Sequence, residues 1–296
     1  MTNSLIWNPE IFVVGQTRWN EDELDAWMTF NEEDILKTMD TPNDDAPIQR
    51  LWRDVNEADS IDRMIEFAGR HCYRAWGKGR DRKTYIRNII DMQHGSVLEH
   101  ATFNMALQGV SRSLSLELVR HRVGVAISQE SQRYVDAMDI NFVIPPMLGH
   151  ICGGANIYVD ENTGHPGVHP YLKDFLRNNM AALESYDAMQ TMIVDELGSK
   201  QSGITKKDTM AKKRANEAAR ALLPNDCETR LMWTANVRLL RHFFFLRGGV
   251  GADLEIRRLA VAMLEKLQSR TSAFDDMAVT YKMENTYGVG VIVQAA

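Results

Sequence analysis

The 296-residue sequence has few cysteines, and they do not form a pattern that predicts a metal site or a disulfide framework. Cys72, Cys152 and Cys227 are widely separated, whereas the thiolate ligands of zinc usually come in close pairs. An odd number of scattered thiols is typical of proteins in a reducing compartment. We therefore expect a cytoplasmic protein without a structural metal.

Long apolar runs and a basic leader are also lacking. The first residues, MTNSLIWNPEIFVV, have neither the basic start nor the apolar stretch of an export signal. No window of the sequence approaches the ~20 apolar residues that a membrane helix needs. The sequence therefore predicts neither export nor a membrane partner.

An excess of positive charge is lacking as well, since 34 Lys and Arg residues stand against 40 Asp and Glu residues. General nucleic-acid-binding proteins carry a basic footprint, so the net charge of −6 argues against that class. The glycine motifs of dinucleotide and phosphate sites are also missing, because LRGGVGADLE (246–255) follows a helical pattern rather than a strand. Any nucleotide would therefore have to be bound by arginines and other side chains.

The apolar periodicity predicts more helices than strands. Helical patterns occur at 20–40, 58–76, 85–94, 170–197, 206–224, 236–247 and 252–270. Alternating patterns predict strands at 102–108, 140–146 and 228–236. SRSLSLELVRHR (111–122) fits both periods and is interpreted as a helix with Ser111 or Ser113 near its N-cap. Because strands and helices do not alternate regularly, we expect an α+β fold, a single domain with a mainly antiparallel sheet flanked by helices.

Composition also predicts how the chain is divided. Residues 1–50 are acidic and are interpreted as an N-terminal extension, followed by a main domain at 51–275 and a C-terminal tail at 276–296. Residues 147–169 are rich in Gly, His and Asn and are interpreted as a long loop within the domain. Loops of this length are usually functional or mobile.

The most unusual segment is RHRVGVAISQESQRY (120–134), which places three arginines beside a single acidic residue, Glu130. Guanidinium is always charged, and its fork matches the oxygens of phosphate or carboxylate. Arg120, Arg122 and Arg133 therefore predict an anion clamp. A solvated helix end, where basic residues favour the negative end of the dipole, remains an equal alternative from the residues alone.

The other polar residues of this segment have several interpretations. His121 suits a proton carrier or hydrogen-bond donor, although a lone histidine beside two arginines is more often structural. Ser128 and Ser131 suit phosphate binding through hydroxyl and backbone N–H groups. A serine nucleophile is not indicated, because the sequence has neither a nearby Asp nor a G-x-S-x-G elbow.

Two further segments carry polar chemistry. QHGSVLEH (93–100) offers His94, Glu99 and His100, but their spacing does not match a zinc motif, so we expect no metal. RALLPNDCETRLMWTANVRLLRHFFFLR (220–247) interleaves basic and aromatic residues. That pattern suits nucleic acid, a nucleotide with a stacked ring cofactor, or a buried aromatic helix with satisfied arginines, and these alternatives remain open.

The three segments together resemble the flavin-dependent thymidylate synthase family over about residues 60–270. That family has Arg-His-Arg, a spacer of seven and then Ser, which is similar to Arg120–Arg122 followed by Ser131, here with a spacer of eight. Its upstream His-x-[Thr/Ser]-x-x-Glu-His resembles residues 94–100. Its downstream motif resembles a third set of residues: Arg220, Leu223, Pro224, Trp233, Thr234, Asn236, Arg238 and Arg247.

This resemblance implies a flavoenzyme, a homotetramer with sites at subunit junctions. It would bind FAD and transfer a one-carbon unit from methylenetetrahydrofolate to C5 of dUMP, with NADPH as reductant, giving dTMP. Members of the same scaffold hydroxymethylate dUMP or methylate UMP, and both reactions remain alternatives. A nucleotide- or nucleic-acid-binding module without catalysis is the alternative from another class.

The resemblance also assigns roles to residues by position. Arg247 would hydrogen-bond the uracil and stabilise negative charge on the ring, which makes it the catalytic residue. The implied substrate-binding residues are Glu117, Gln129, Ser131, Gln132, Arg133, Arg220 and Arg247. The flavin-binding residues, with His121 and Ser128 included for their anion-binding chemistry, are His94, Ser96, Glu99, Arg120, His121, Arg122, Ser128, Asn236, Arg238 and His242.

Overall fold

The computed structural model describes residues 5–38, 60–77, 79–153, 158–159, 166–167, 169–200 and 209–295. The helices in these ranges are α1 (Glu21–Phe30), α2 (Glu32–Leu36), α3 (Ser60–Tyr73), α4 (Arg82–Asp91), α5 (Arg112–Leu118), α6 (Pro146–Ile151), α7 (Pro170–Lys200), α8 (Thr209–Ala219), α9 (Val237–Arg247) and α10 (Leu254–Leu267). The strands are β1 (Leu5–Ile6), β2 (Glu10–Gln16), β3 (Thr102–Ser111), β4 (Val125–Gln129), β5 (Phe142–Val143), β6 (Tyr158–Val159), β7 (Pro166–Gly167), β8 (Glu228–Asn236), β9 (Met277–Thr280) and β10 (Val291–Gln294). Short 3₁₀ turns lie at Gly95–His100, Ala137–Asp139, Arg220–Leu222, Gln268–Arg270 and Ser272–Phe274.

A four-stranded antiparallel sheet in the order β2-β3-β8-β4 is the centre of the fold. Alternate residues of β3 are buried, because successive side chains of a strand point to opposite faces. The strands predicted at 102–108 and 228–236 are therefore confirmed. They form the central pair, in which Phe103 faces Ala235 and Leu107 faces Leu231. The mixed fold with helices and an antiparallel sheet is confirmed as well.

The hydrophobic core lies on one face of this sheet. Phe103, Met105 and Trp233 pack there against aromatic residues of α9, Phe243 and Phe244 among them. Helices α3, α4 and α10 complete the same core. On the opposite face, the side chains of Phe12 and Val14 in the edge strand β2 are exposed.

Side-chain caps fix the starts of the two helices that follow the central strands. The Ser111 hydroxyl accepts a hydrogen bond from the backbone N–H of Leu114 at 3.0 Å and caps α5. The Asn236 side chain accepts from the N–H of Leu239 at 2.8 Å and caps α9. Such caps satisfy N–H groups that lack a partner within the helix. The helix predicted for SRSLSLELVRHR and its cap at Ser111 are therefore confirmed, although α5 ends at Leu118.

The acidic N-terminal segment was interpreted from its composition as an extension, but it contributes a strand to the central sheet and a packed helix. Its residues 10–16 form β2, the edge strand that pairs with β3. Helix α1 then packs through Trp27 and Met28 onto Phe67 and Trp76. The single helix predicted for 20–40 is two helices, because Asn31 interrupts it between α1 and α2. Residues 39–50 lie outside the described residues.

Two other segments also differ from their predicted form. The region interpreted as a loop at 147–169 begins inside α6, which has a proline at its first helical position, where a missing N–H costs nothing. The strand predicted at 140–146 is limited to Phe142–Val143, since Pro145 and Pro146 cannot donate to a ladder. The tail after residue 275 forms an antiparallel β9–β10 hairpin.

Candidate active site

Among the described residues, none of the helices has both the length and the apolarity needed to span a membrane. Within the same ranges, His, Cys, Asp and Glu side chains do not gather in threes or more where a metal ion could be held. All three cysteines are free thiols. The candidate site is therefore built from the arginine-bearing segments.

The loop between α5 and β4 carries Arg120, His121 and Arg122 in two different environments. Both arginines are exposed, and neither guanidinium donates a hydrogen bond to any described residue. His121 between them is only 8% exposed and packs edge-on against Phe243. The loop thus presents two charged forks to an external anion and anchors itself through the histidine.

Gly124 holds this loop against the start of α9. Its φ is +74°, a conformation that favours glycine, and a Cβ at this position would lie 2.3 Å from Nδ2 of Asn236. The backbone N–H of Asn236 donates to the Gly124 carbonyl at 3.1 Å. The Arg-His-Arg loop and the N-terminus of α9 are therefore in fixed positions relative to each other.

The 3₁₀ turn Gly95–His100 lies beside the same helix end. Glu99 forms an ion pair with Arg238, and a Cβ on Gly95 would lie 3.0 Å from Nε of Arg238. His94 stacks on Tyr73, with ring centroids 5.9 Å apart and a contact of 3.3 Å between Nδ1 and the phenol oxygen. Two further residues assigned to the flavin are exposed near these groups: Ser96 and His242.

Arg247, the predicted catalytic residue, ends α9 beside the last turn of α5. Its Nη1 donates to Oε2 of Glu117 at 3.0 Å, and its Nε donates to Nε2 of His121 at 3.3 Å. Burial raises the pKa of Glu117, and the charge of Asp253 adds to this effect against the opposing charge of Arg247. Sequence reasoning assigned all three residues to ligands but did not indicate that they contact one another.

Stability at mildly acidic pH is expected to depend on His121. Burial lowers the pKa of His121 below its ordinary value of 6.5, and the charges of Arg247 and His242 lower it further. The unfolded chain takes up a proton near pH 6.5 while the folded chain resists it, so the free energy of unfolding falls as pH drops below that value. In His121→Gln this fall should be weaker. Urea unfolding at pH 7.5, 6.5 and 5.5 measures the difference.

His100→Gln is the matched control, because His100 is exposed at the end of the Gly95–His100 turn and does not contribute to the pKa shift of His121. That variant should keep the pH dependence of the natural protein. Identical slopes in the natural protein and in His121→Gln would contradict the assignment.

The segment after β4 carries the residues assigned to the substrate. Gln129 ends β4, and its Nε2 donates to the hydroxyls of Ser115 and Thr229, each at 3.0 Å. Ser131 follows in a turn, where its Oγ accepts from the backbone N–H of Arg133 at 3.4 Å. Gln132 lines a neighbouring cleft of about 210 Å³.

Arg133 is held by α8. Its Nη2 donates to Oε2 of Glu217 at 3.1 Å, and its backbone carbonyl accepts from Nδ2 of Asn216 at 3.4 Å. Its Nε is buried and has no hydrogen-bond partner among the described residues. The guanidinium is therefore oriented by one carboxylate and retains donors for another anion.

Arg112 is a candidate that sequence reasoning missed. It is the first residue of α5, and burial lowers its pKa, with the nearby charge of Arg220 adding to the shift. The backbone N–H of Arg112 donates to the carbonyl of Cys227, seven residues after Arg220, and neither guanidinium forms an ion pair with a described residue. The signal was available in the sequence, because a cation at a helix N-terminus opposes the helix dipole.

The structure brings the predicted residues together in two groups rather than one. The Arg-His-Arg loop, the 94–100 turn and the start of α9 lie at the beginning of β4, whereas Gln129 to Arg133 follow its end. Five residues of strand separate the two by about 15 Å. No hydrogen bond between described residues links the loop to residues 129–133. Ser128 is exposed on β4, one residue before Gln129.

This fold presents guanidinium groups at two places on one domain, an arrangement that suits proteins with anionic ligands. Comparison with known proteins identifies the chain further. Residues 55–271 match the model of the family described as thymidylate synthase complementing protein. The chain belongs to this family, and the resemblance predicted from its three motifs is confirmed.

Individual relatives agree with this assignment. The flavin-dependent thymidylate synthase of Mycolicibacterium gilvum is 37% identical over 246 residues, which cover 81% of this chain and 88% of the relative. The enzyme of the same name from Mycobacterium tuberculosis strain H37Ra is 36% identical over the same coverage. That from Mycobacterium marinum is 37% identical over 240 residues, 79% of this chain and 86% of the relative.

Proposed function

We propose that this chain is a flavin-dependent thymidylate synthase that converts dUMP to dTMP. Methylenetetrahydrofolate would supply the carbon unit, and NADPH would supply the reducing equivalents. The names of the relatives support this reaction over hydroxymethylation of dUMP, methylation of UMP or binding without catalysis. The structural observation that carries the proposal is that Arg112, whose backbone N–H donates to the carbonyl of Cys227, and Arg220, seven residues before that cysteine, form no ion pair with a described residue and so suit an external anion.

A phosphate monoester fits the charged groups at this side of the domain. Its dianion would neutralise the repulsion between Arg112 and Arg220 and accept hydrogen bonds from their forks. Ser131 and Arg133 would add a hydroxyl and the donors that Glu217 leaves unused. Gln129 and Gln132 flank the same segment. In this arrangement Ser131 is a phosphate ligand and not a nucleophile.

Arg247 is positioned to act on the base. Arginine has five N–H donors, and the contacts to Glu117 and His121 use two of them. The remaining donors can bind a uracil carbonyl while both contacts persist. A fixed cation there stabilises the negative charge that develops on the oxygen when C5 is activated. Glu117 and His121 hold the guanidinium in place.

The residues at the start of β4 fit a flavin dinucleotide. The exposed forks of Arg120 and Arg122 suit its phosphates, and Ser96 and Asn236 offer polar groups beside them. Arg238, held by Glu99, adds a third cation, and His121, Ser128 and His242 complete the proposed set. When bound, the flavin supplies the redox chemistry of the reaction. His94, oriented by Tyr73, would face the ring where the folate stacks.

A homotetramer would combine the two groups of residues. The flavin-side residues, with Arg247 and Glu117 beside them, lie at one end of β4, whereas the proposed phosphate ligands at 129–133 lie at the other, so copies of the chain would complete each site. Unpaired Arg120, Arg122 and Arg220 suit ligands shared between copies. The exposed apolar side chains Phe12 and Val14 mark an open sheet face that an oligomer would cover. We place this enzyme in the cytoplasm, where its nucleotide substrates are made.

The purified protein is expected to be yellow and to form dTMP from dUMP, methylenetetrahydrofolate and NADPH. The absorption spectrum measures the flavin, and mass spectrometry measures the nucleotide product. Omission of dUMP or of the folate is the control. A product with one more oxygen on the new carbon would indicate hydroxymethylation. A colourless protein that cannot be reconstituted with FAD, yet binds oligonucleotides, would contradict the enzyme proposal.

A further inference from the structure

The C-terminal hairpin lies beyond the region that matches the family model, which ends at residue 271. Strands β9 and β10 pair in register, with Thr280 opposite Val291 and Met277 opposite Gln294. The hairpin closes where the N–H of Ala295 donates to the carbonyl of Asp276 at 2.8 Å. The segment is therefore an ordered element, and three separate contacts join it to α9 and the loop after it.

The first contact is a fork between Arg241, in the middle of α9, and Asp276 at the base of the hairpin. Nη1 and Nη2 of Arg241 each donate to one carboxylate oxygen at 2.7 Å, and Nη1 also donates to the carbonyl of Ala273. Burial alone would raise the pKa of Asp276, but the hydrogen bonds and charge of Arg241 outweigh it and lower the pKa. Such bidentate pairs are among the stronger polar contacts in proteins.

The second contact is at Gly248, the residue directly after Arg247. The backbone N–H of Ile292 donates to the Gly248 carbonyl at 2.9 Å. The Ile292 side chain lies against the glycine, and a Cβ there would be 2.5 Å from Cδ1 of Ile292. The last carbonyls of a helix lack intrahelical partners, and helix ends fray for this reason. Strand β10 supplies the missing partner at the end of α9.

The third contact holds the loop that follows. Arg257 of α10 is completely buried, and its guanidinium donates to the carbonyl of Val250 at 3.0 Å and to that of Thr286 at 2.7 Å. One side chain therefore fastens the loop after α9 to the hairpin turn. Contacts at Arg241, Gly248 and Val250 therefore fix α9 and the loop after it to the C-terminal hairpin.

We propose that the C-terminal hairpin positions Arg247, with Ile292 as the positioning residue at the end of α9. The effect on the reaction rests on the proposed role of Arg247 in thymidylate synthesis. Ile292 does not touch the substrate; it sets the backbone from which the guanidinium of Arg247 reaches the base. A shift of about 1 Å in such a group is enough to reduce turnover strongly.

Ile292→Ala tests this positioning, with Gln294→Ala as the matched control because Gln294 is exposed on the same strand. The full-length protein with bound flavin is used throughout. Hydrogen exchange of residues 243–253 should become at least fivefold faster in Ile292→Ala. Turnover at 25 °C should fall about tenfold, while flavin content and the KM for NADPH stay unchanged. Ile292→Val, which keeps most of the side chain, should restore both measurements.

The outcomes separate this proposal from the proposed reaction. If the natural protein makes no dTMP, the reaction is wrong, and hydrogen exchange still decides whether Ile292 fixes the end of α9. If Ile292→Ala lowers the melting temperature but keeps natural exchange and natural turnover at 25 °C, the hairpin only stabilises the fold and the positioning role is refuted. If Ile292→Ala does not fold, Asp276→Asn, which weakens the fork to Arg241, takes its place: faster exchange of residues 243–253 with lower turnover is again expected, and natural values of both would refute the positioning role.

Discussion

Replacing Arg247 with alanine is expected to reduce dTMP formation by about 100-fold or more. Removal of one fixed donor at a developing negative charge has an effect of this size in other enzymes. Arg247 is suited to that role because Glu117 and His121 hold it from one side and leave most of its donors unused. Single-turnover conversion of dUMP, measured with saturating folate and reduced flavin, tests the expectation.

Arg247→Lys is the matched variant, because it keeps the charge but loses the fork. A lysine ammonium cannot contact Glu117, His121 and the base in the same geometry. We expect its turnover to lie between those of the natural protein and the alanine variant. Flavin content should be unchanged in both, since Arg247 is not among the proposed flavin ligands. Natural turnover in Arg247→Ala would refute the catalytic role.

The second large effect is expected at Arg112, which contacts the substrate phosphate in the proposed function. Arg112→Ala should raise the KM for dUMP by about 10- to 100-fold, because a hydrogen bond to a charged group contributes about 1.5–3 kcal/mol. The same change should leave the ligand-free protein as stable as before or more stable, since it removes repulsion with Arg220. Steady-state kinetics and thermal unfolding without nucleotide measure the two effects.

Arg177→Ala serves as the control for this experiment. Arg177 is an exposed arginine of α7 that pairs with Asp174 three residues earlier. Its removal should change neither the KM for dUMP nor the stability by much, because exposed ion pairs contribute little. A KM in Arg112→Ala within twofold of that in Arg177→Ala would show that Arg112 does not bind the phosphate.

Local patterns predicted the central elements of the fold. The alternation of Phe103, Met105 and Leu107 identified β3, and Ser111 identified the start of α5. The edge strand β2 was missed because its short run lies inside an acidic segment. Which strand it pairs with depends on a long-range contact that no local period contains. The hairpin of the tail was missed for the same reason.

In the candidate site, too, the local motif was predictable from the sequence, whereas the long-range contacts were not. The spacing of Arg120, His121 and Arg122 pointed to the family, and comparison confirmed that assignment. Burial of His121 between two exposed arginines follows from its contact with Phe243, which lies more than a hundred residues away. The bond from the Arg112 N–H to Cys227, which brings Arg112 to the segment after Arg220, also arises only when β3 pairs with β8. Roles at individual residues therefore stay predictions until variants are measured.

The pairing of β3 with β8 also determines when the domain can fold during synthesis. Across this pair Thr234 donates to Asn104 over 130 residues of sequence. Ribosomes add about 5–20 residues each second, so β3 waits several seconds or longer for its partner. During that time the apolar side chains of β3 lack most of their core. We expect nascent chains that end before β8 to bind chaperones or aggregate, and late folding to begin once α9 and α10 have emerged.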